Sequence, residues 1–459
     1  MHHILFELLQ NAGFLKGSVI NTGRIARAKR SELVSIAEQS ADLTPTCSVT
    51  NLDSVFSHTA SLSLGGGPTP CAAAECRMKR ARELVQFAAF YSDRVFVNNN
   101  LFASAGQYQV SPIDKARAAF HDDLEVILVF RPLIESGIIV PITPTTTLCY
   151  HCLGKSALPD RDRRRFDDSL RRFAQRFEAE TEAALECRGY GSVGLKIKGS
   201  EELVEHGFMY QEWGRINKLA KDHPRLAMRL KSSRDVLLSR AQRKNFEVDT
   251  DMAHSLFNDI GFEMAVSQCL KASIVTSRQV HVEILNDFVK NDGLNRRNAL
   301  IQEHLTCIVP FLNDVSAREL LVLRRGEADA FISFRQAFAK AVDEHIKAKP
   351  GYLSEQDASA VFKEVIEPEL ARLNRKVNSA SKSVFRKSGA GVLGWAAALS
   401  AGFYFGFVES SLIAAAKALG LTKVAADIAA GLIGTSGEDA IRHESMYFLW
   451  KVRHRAQRS

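Results

Sequence analysis

Two short runs, Arg94-Val-Phe-Val-Asn98 and Ile138-Ile-Val-Pro-Ile142, decide how the first third of the chain folds. Both are rich in β-branched or aromatic residues and predict strands. Between them, apolar residues recur at helical spacing from Ala118 to Leu133, and Gly137 is placed to follow the helix as its C′ residue. Two strands joined by a helix over about 50 residues predict a βαβ crossover with parallel pairing.

The rest of the sequence is mainly helical in pattern. Residues 158–188 predict a charged helix with one apolar face, and alternation at 193–198 indicates a short strand. After Glu201 we expect almost only helices. Ser316-Ala-Arg-Glu319 is typical of a capping box before a phenylalanine-rich stripe, and Pro368 is expected to kink a later helix.

These patterns predict an α+β protein that is predominantly α-helical. With 459 residues the chain is too long for one hydrophobic core. We expect an N-terminal α/β domain at 1–155 with cysteine-containing loops, a helical domain at 156–385, and close-packing helices with a basic aromatic tail at 386–459. The start lacks the pattern of a signal peptide, which favours a cytoplasmic protein whose eight cysteines are reduced or bind metal.

The cysteines offer one candidate metal centre. Cys149-Tyr-His-Cys152 follows the second predicted strand, and Cys71 and Cys76 follow the Gly65-Gly-Gly67 loop. A Cys-x2-Cys turn supplies two thiolates to a tetrahedral zinc ion, and a second pair would complete a structural site. Independent reduced cysteines and a redox role for the Cys149–Cys152 pair are the alternatives.

Acidic residues in the α/β element are weak catalytic candidates. Asp93, Asp122 and Asp123 are candidates for metal-dependent phosphoryl chemistry, although the helix dipole explains the last two without any function. His281-Val-Glu283 matches half of a zinc deaminase motif, but no Pro-Cys-x-x-Cys follows, so ordinary secondary structure is favoured. Familiar phosphate-binding, dinucleotide-binding, zinc-protease and nucleophile-elbow motifs are absent from the sequence, which leaves an enzyme less favoured.

Basic residues provide a nucleic-acid hypothesis. The net charge of +8 is modest for this length. The candidate contacts are one patch near the start and the basic tail after Tyr447-Phe-Leu-Trp450, although docking of that tail on the core through its aromatic residues is favoured. The patch comprises Arg24, Arg27, Lys29 and Arg30.

A row of small residues at every fourth position runs from Ala390 to Gly434. On a helix such a row lets another backbone approach closely. The charge-free stretch 388–408 has 21 residues and is long enough to cross a bilayer, but its Gly/Ala content and the later Lys417, Lys423 and Asp427 disfavour spanning. The packing or membrane candidates are Gly394, Ala398, Gly402, Gly406, Ser410 and Ala414.

The favoured hypothesis is therefore an interaction or effector protein in which the α/β part binds a protein partner and the C-terminal helices drive self-association or conditional membrane insertion. The layout is similar to that of bacterial conflict and defence effectors, and only the layout carries that likeness. One alternative is a metal-dependent enzyme that processes nucleic acid with the acidic residues of the α/β element. Another is a nucleic-acid-binding protein stabilised by zinc, the one cofactor the sequence suggests.

Overall fold

The structure is a computed structural model. The residues that it describes are 4–43, 56–68, 73–143, 160–188, 191–200, 203–204, 208–233, 235–270, 272–276, 278–288, 297–298, 300–302, 305, 309–348, 355–387 and 441–457. Over these residues the protein is mixed α+β and mostly helical, as the sequence predicted. The chain divides into two compact units, Met1–Glu303 and His304–Ser459.

The first part of unit 1 contains a β-hairpin, helices and three strands of a parallel sheet. In chain order these elements are α1 (Ile4–Asn11), β1 (Leu15–Lys16), β2 (Val19–Ile20), α2 (Thr22–Arg27), α3 (Arg30–Asp42), β3 (Ser57–Ala60), α4 (Ala74–Tyr91), β4 (Arg94–Asn98), α5 (Asn100–Ala103), α6 (Ala105–Val110), α7 (Ile113–Glu135) and β5 (Ile139–Ile142).

The remainder of unit 1 adds a second sheet and one more parallel strand. Its elements are α8 (Asp160–Glu180), β6 (Glu182–Arg188), β7 (Ser192–Lys198), β8 (Phe208–Arg215), α9 (Ile216–Asp222), α10 (Pro224–Ser232), β9 (Asp235–Leu237), α11 (Arg240–Asn245), α12 (Val248–Leu270), β10 (Ser273–Val275) and α13 (Gln279–Phe288).

The parallel sheet has the strand order β10-β3-β4-β5. β4 and β5 pair in parallel, with Val95 opposite Ile139, and α7 lies between them in sequence. Gly137, just beyond α7, has φ of 76°, the left-handed conformation typical of a C′ glycine. Strands β3, β4 and β5 follow one another across the sheet, whereas β10 pairs with the other edge of β3. The strand order therefore reverses at β3.

β10 comes from the part of the sequence that was expected to form a separate helical domain. Its three residues are too short a signal for a strand to be recognised from periodicity. The expectation of almost only helices after Glu201 is wrong, because β8, β9 and β10 all lie there. The domain boundaries at 155 and 385 stay a prediction.

The second sheet is antiparallel, in the order β8-β7-β6-β9. β7 covers the strand expected near 193–198. The predicted helix 158–188 is wrong in its last part, because α8 ends at Glu180 and β6 begins at Glu182. Leu185 pairs with Leu195 of β7, so burial against the neighbouring strand overrides the helical preference of alanine, leucine and glutamate.

Helix α12 links the cores of the two sheets. Near its start, Met252 and Leu256 belong to the buried cluster of the antiparallel sheet. Near its end, Val266 and Leu270 belong to the buried cluster around Phe96 of the parallel sheet. One long helix therefore fixes both sheets within unit 1.

Unit 2 is helical over its described residues. Its elements are a 3₁₀ turn (Pro310–Asp314), α14 (Ala317–Gly326), α15 (Ala328–Ala348), α16 (Glu355–Val361), a π-helical turn (Phe362–Ile366), α17 (Glu367–Lys387) and α18 (Tyr447–Ala456). Ser316 and Glu319 form the predicted capping box of α14. The predicted stripe is buried along α15, where Phe334 and Phe338 have no exposed surface.

The π-helical turn lies directly before Pro368, the residue expected to distort the helix. Proline has no amide hydrogen to donate and its ring crowds the preceding turn, so regular α-helical bonding is interrupted upstream of it. No helix among the described residues is long and apolar enough to cross a membrane.

Candidate functional site

The Gly65-Gly-Gly67 loop follows β3, at the carboxyl end of a central strand of the parallel sheet. Open α/β sheets bind ligands at this edge, near the point where the strand order reverses. The loop amides, however, donate within the loop: Gly65 N to Ser61 O at 2.9 Å and Gly67 N to Leu62 O at 2.8 Å. Because these hydrogens are already used, the loop is not a phosphate cradle.

Two buried arginines of α4 hold the loop by its carbonyl groups. Arg77 Nε donates to Gly66 O at 2.7 Å, and Arg80 Nε donates to Ser63 O at 2.8 Å. Asn100 Nδ2 donates to Gly65 O at 2.8 Å. Both arginine side chains are only 3% exposed, so their charge serves the interior of unit 1.

Asp123, one of the catalytic candidates, belongs to this buried network. It pairs with Arg77 and accepts a hydrogen bond from the Tyr108 hydroxyl. Burial raises the pKa of Asp123, and the Arg77 charge opposes that shift. Burial also raises the pKa of Tyr108 well above its usual value. With both carboxylate oxygens engaged and no exposed surface, Asp123 is a structural residue.

Asp122 follows a different pattern and lies beside two potential ligands on α7. Ligand atoms of His121, Asp122 and Glu125 all lie within 4.8 Å of one another, the one such group of three or more found among the described residues. All three side chains are half-buried. Partial burial raises the pKa of Asp122, while the nearby Arg77 and His121 charges oppose the increase. These atoms could hold one cation, at a cost from the Arg77 charge.

Asp93 is not part of the group formed by Asp122. It lies just before β4, at the amino end of that strand, where its backbone N–H donates to Phe56 O at 2.9 Å. The buried network around Asp123 instead meets the loop at the carboxyl end of β3. Among the described residues, Asp122 is the one acidic candidate that belongs to a group of potential metal ligands.

The cysteine hypothesis is not decided. Cys76 is half-buried in the first turn of α4. Cys71, Cys149 and Cys152 lie outside the described residues. Because β3 and β5 run parallel, the chain leaves both strands at the same end of the sheet, in the direction of Cys71 and of Cys149 in the sequence. The zinc site remains a prediction.

The His281-Val-Glu283 motif lies in helix α13, as expected of ordinary secondary structure. His281 Nδ1 is 2.7 Å from Thr276 Oγ1, and complete burial lowers the pKa of this histidine well below its usual value. Glu283 forms a 3.0 Å ion pair with Arg176 of α8. The two side chains therefore join α13 to different parts of unit 1.

The basic patch near the start is largely used for internal contacts. Arg24 pairs with Glu32 at 2.8 Å and its guanidinium lies 4.8 Å from the centre of the Phe14 ring. Arg30 donates to Tyr108 O at 3.1 Å. Arg27 and Lys29 are exposed. Arg27 Nε also donates to Gly23 O at 3.0 Å, so three of the four predicted nucleic-acid contacts have partners within the protein.

A cavity of about 390 Å³ lies beside the short edge strand β9. Its lining includes Glu178, Arg240 and Arg243. Arg240 pairs with Glu178, and Arg243 pairs with Asp249 while its Nη2 also donates to Phe177 O at 2.9 Å. Both arginines that line the cavity therefore already form ion pairs within the protein.

Helix α18 docks inside unit 2 through the aromatic residues that precede the basic tail. The Phe448 ring stacks on Phe334 with centroids 5.5 Å apart, and Trp450 Nε1 donates to Asn374 Oδ1 at 2.6 Å. Lys451 pairs with Glu327 at 2.6 Å, and Arg455 pairs with Glu319 at 3.5 Å. Much of the basic tail is thereby neutralised by acids of its own unit.

A second contact joins α17 to the chain just before α18. Glu444 pairs with Arg372 at 2.8 Å and also with Lys376. Hydrogen bonds from these two cations lower the pKa of Glu444 to about 2. We call Glu444, Arg372 and Lys376 the C-terminal clamp. No local pattern in the sequence predicts this clamp, because Glu444 is far in sequence from Arg372 and Lys376.

The clamp brackets the small-residue row. Residues 388–440 lie outside the described residues, and with them Gly394, Ala398, Gly402, Gly406, Ser410 and Ala414. Comparison with protein-family models, with curated proteins and with solved structures found no match for this chain.

Proposed function

We propose that the protein is an interaction or effector protein that self-associates through its Gly/Ala-rich segment 388–440. In this proposal the segment is a helix pair whose two ends are connected to the folded helices α17 and α18. The clamp carries the proposal, because it holds the chain on both sides of the segment in one folded unit. This is the same functional class that the sequence favoured.

The fixed ends disfavour a single membrane crossing. A single crossing would place the two flanks on opposite sides of a hydrocarbon core about 30 Å thick. From Lys376 to Lys387 helix α17 extends only about 16 Å at the usual helical rise, while Glu444 lies three residues after Ile441. Both flanks therefore belong on one side.

The charges of the segment favour a helix partner over lipid. A membrane hairpin would have to carry the second half across, and each of Lys417, Lys423 and Asp427 costs about 2.5–3.5 kcal/mol at the bilayer centre. The small-residue row suits close approach of another backbone without that cost. Self-association is the main proposal, and insertion into lipid is conditional on opening of the clamp.

Sedimentation velocity of the full chain, together with flotation on anionic and neutral vesicles, tests this proposal. The double substitution Gly402→Leu with Gly406→Leu blocks the row, and we expect it to abolish the oligomer. Ala397→Leu with Ala401→Leu is the matched control, since it introduces the same two leucine side chains at the same spacing on another face of the proposed helix. Equal sedimentation of both variants and the parent, or a parent that is monomeric and does not float, would overturn the proposal.

A metal-dependent enzyme acting on nucleic acid is the second candidate. The convergence of His121, Asp122 and Glu125 favours it, because imidazole and carboxylate groups are ligands for divalent cations such as Mn²⁺. Titration with Mn²⁺ should give saturable binding that Asp122→Asn removes and that Asp114→Asn, an exposed position on the same helix, leaves intact. Lack of saturable binding would remove this candidate.

A further inference from the structure

The positive charge of this protein is concentrated in one segment. Residues 216–245 contain nine lysines and arginines but only two acids, an excess of seven, whereas the whole chain has a net charge of +8. This segment is distinct from the patch near the start and from the basic tail at the end of the chain. A local excess of this size creates a strong positive potential.

The lysines and arginines of helices α9 and α10 are exposed to solvent. Their apolar residues, among them Leu219, Leu226 and Leu230, are buried in the core of the antiparallel sheet. The opposite sides carry five exposed cations, which we call the α9–α10 basic face. They are Lys218, Lys221, Arg225, Arg229 and Lys231. Lys218 and Lys221 are three residues apart on α9, and Arg225 and Arg229 are four apart on α10, so each pair consists of neighbours on its helix surface. Asp222, at the end of α9, is an exposed acid beside them.

The basic face is not neutralised by the described part of the protein. None of its five cations forms an ion pair with a described residue. Other exposed cations do: Arg171 pairs with Asp168 on α8, and Lys340 pairs with Glu344 on α15. These five charges are therefore not offset by ion pairs within the described part of the protein.

The face extends to the end of α11. His223, between α9 and α10, contacts Phe246 with ring centroids 4.8 Å apart. This contact brings the turn between the helices beside α11, which carries the exposed Lys244. Among the nearby acids, Glu178 is already paired with Arg240, whereas Asp222 and Glu247 are exposed. The positive surface therefore spans three consecutive helices.

We infer that the α9–α10 basic face binds the phosphate backbone of nucleic acid. Regularly spaced lysines and arginines that lack acidic partners are the electrostatic footprint of such binding. A lipid surface fits less well, because a membrane-surface helix inserts a broad apolar face and α10 has buried its own in the protein core. Met228 is the one large apolar side chain exposed on α9 and α10. The inference is independent of the proposed role of segment 388–440.

Fluorescence anisotropy with the full chain and labelled 30-nucleotide probes, single-stranded and duplex, tests the inference across a series of salt concentrations. The test variant is Arg225→Gln with Arg229→Gln and Lys231→Gln. We expect its affinity at 50 mM salt to fall at least tenfold. On duplex DNA its log–log salt slope should be shallower by about 2 to 3, because each phosphate contact contributes about 0.9 to the slope.

The matched control is Lys16→Gln with Arg27→Gln and Lys29→Gln, which removes three other exposed cations, two of them from the patch favoured by the sequence. It should retain the parent affinity within about twofold. Equal weakening of both variants would show a general charge effect and overturn the inference. Absence of binding at 50 mM salt, or binding confined to anionic vesicles of phosphatidylserine and phosphatidylcholine, would also overturn it. Circular dichroism and thermal melting establish that each variant is folded.

Discussion

The buried network around Asp123 and the C-terminal clamp around Glu444 are both formed by one carboxylate and two partners, yet they differ in exposure. Asp123 and Arg77 are almost fully buried, and Arg77 donates a hydrogen bond that holds the loop after β3. Glu444 is 15% exposed, and its partners Arg372 and Lys376 are 37% and 44% exposed. The first network is therefore a permanent part of the core, whereas the second can open at modest cost and is suited to controlling a neighbouring segment.

The largest expected effect is at the buried network. Asp123→Ala leaves the Arg77 charge buried without its partner, and we expect a loss of about 3–5 kcal/mol in the stability of unit 1. Chemical denaturation should show it, and hydrogen exchange should place it in the parallel sheet. Asp114→Ala, at an exposed position of α7, should change stability by less than about 0.5 kcal/mol. Similar stability of the two variants would refute the structural role of Asp123.

The next effect concerns the loop that this network holds. Gly66 has φ of 79°, and a Cβ atom there would lie 2.5 Å from Val126 Cγ1. Gly66→Ala should therefore cost about 2 kcal/mol or more, because strain and overpacking add. Gly106→Ala is the control, since a Cβ at this helical position meets nothing within 4 Å. It should be neutral or stabilising. Equal melting temperatures would show that the loop is not fixed as described.

A smaller effect is expected at the clamp. Glu444→Gln removes a partly exposed ion pair and should lower stability by about 1 kcal/mol. The substitution should also loosen the neighbouring helix and segment. Hydrogen exchange should rise in α18, and vesicle flotation should increase relative to the parent. Glu344→Gln, which breaks an exposed pair on α15, is the matched control. Unchanged exchange in α18 would mean that the clamp does not hold this helix.

The smallest effect is a pH dependence of the same contact. The pKa of Glu444 is about 2 in the folded protein against an ordinary 4.5, so the unfolded chain binds the proton more readily. Its stabilising contribution is present above pH 4.5 and is lost as the pH falls toward 2. The stability difference between the parent and Glu444→Gln should therefore shrink over this range. A difference that stays constant from pH 6 to pH 3 would contradict the assignment.

The sequence predicted features that have a local signal. Strands at 94–98 and 138–142, the glycine after α7, the capping box at Ser316 and the buried stripe of α15 all depend on nearby residues. It failed where long-range pairing decides the structure, as in β6, whose composition favours a helix, and in the three-residue strands β9 and β10.

The candidate sites likewise differ in whether their residues are close together or far apart in sequence. The grouping of Asp122 with His121 and Glu125 arises on one helix and is accessible from spacing, but the Arg77–Asp123 pair and the clamp are not. Arg77 and Asp123 are 46 residues apart, and Arg372 and Glu444 are 72 apart. Only the folded chain shows that Asp123 is buried beside Arg77 and that Glu444 pairs with Arg372 and Lys376.

The most direct test of the central claim is cleavage within that segment. A specific protease site inserted after Lys417 allows the purified full chain to be cut, followed by size exclusion in non-denaturing buffer. The account predicts that the C-terminal fragment remains bound to the rest, because α18 is held by its aromatic contacts and by the clamp. Release of that fragment from the parent protein on cleavage would contradict it.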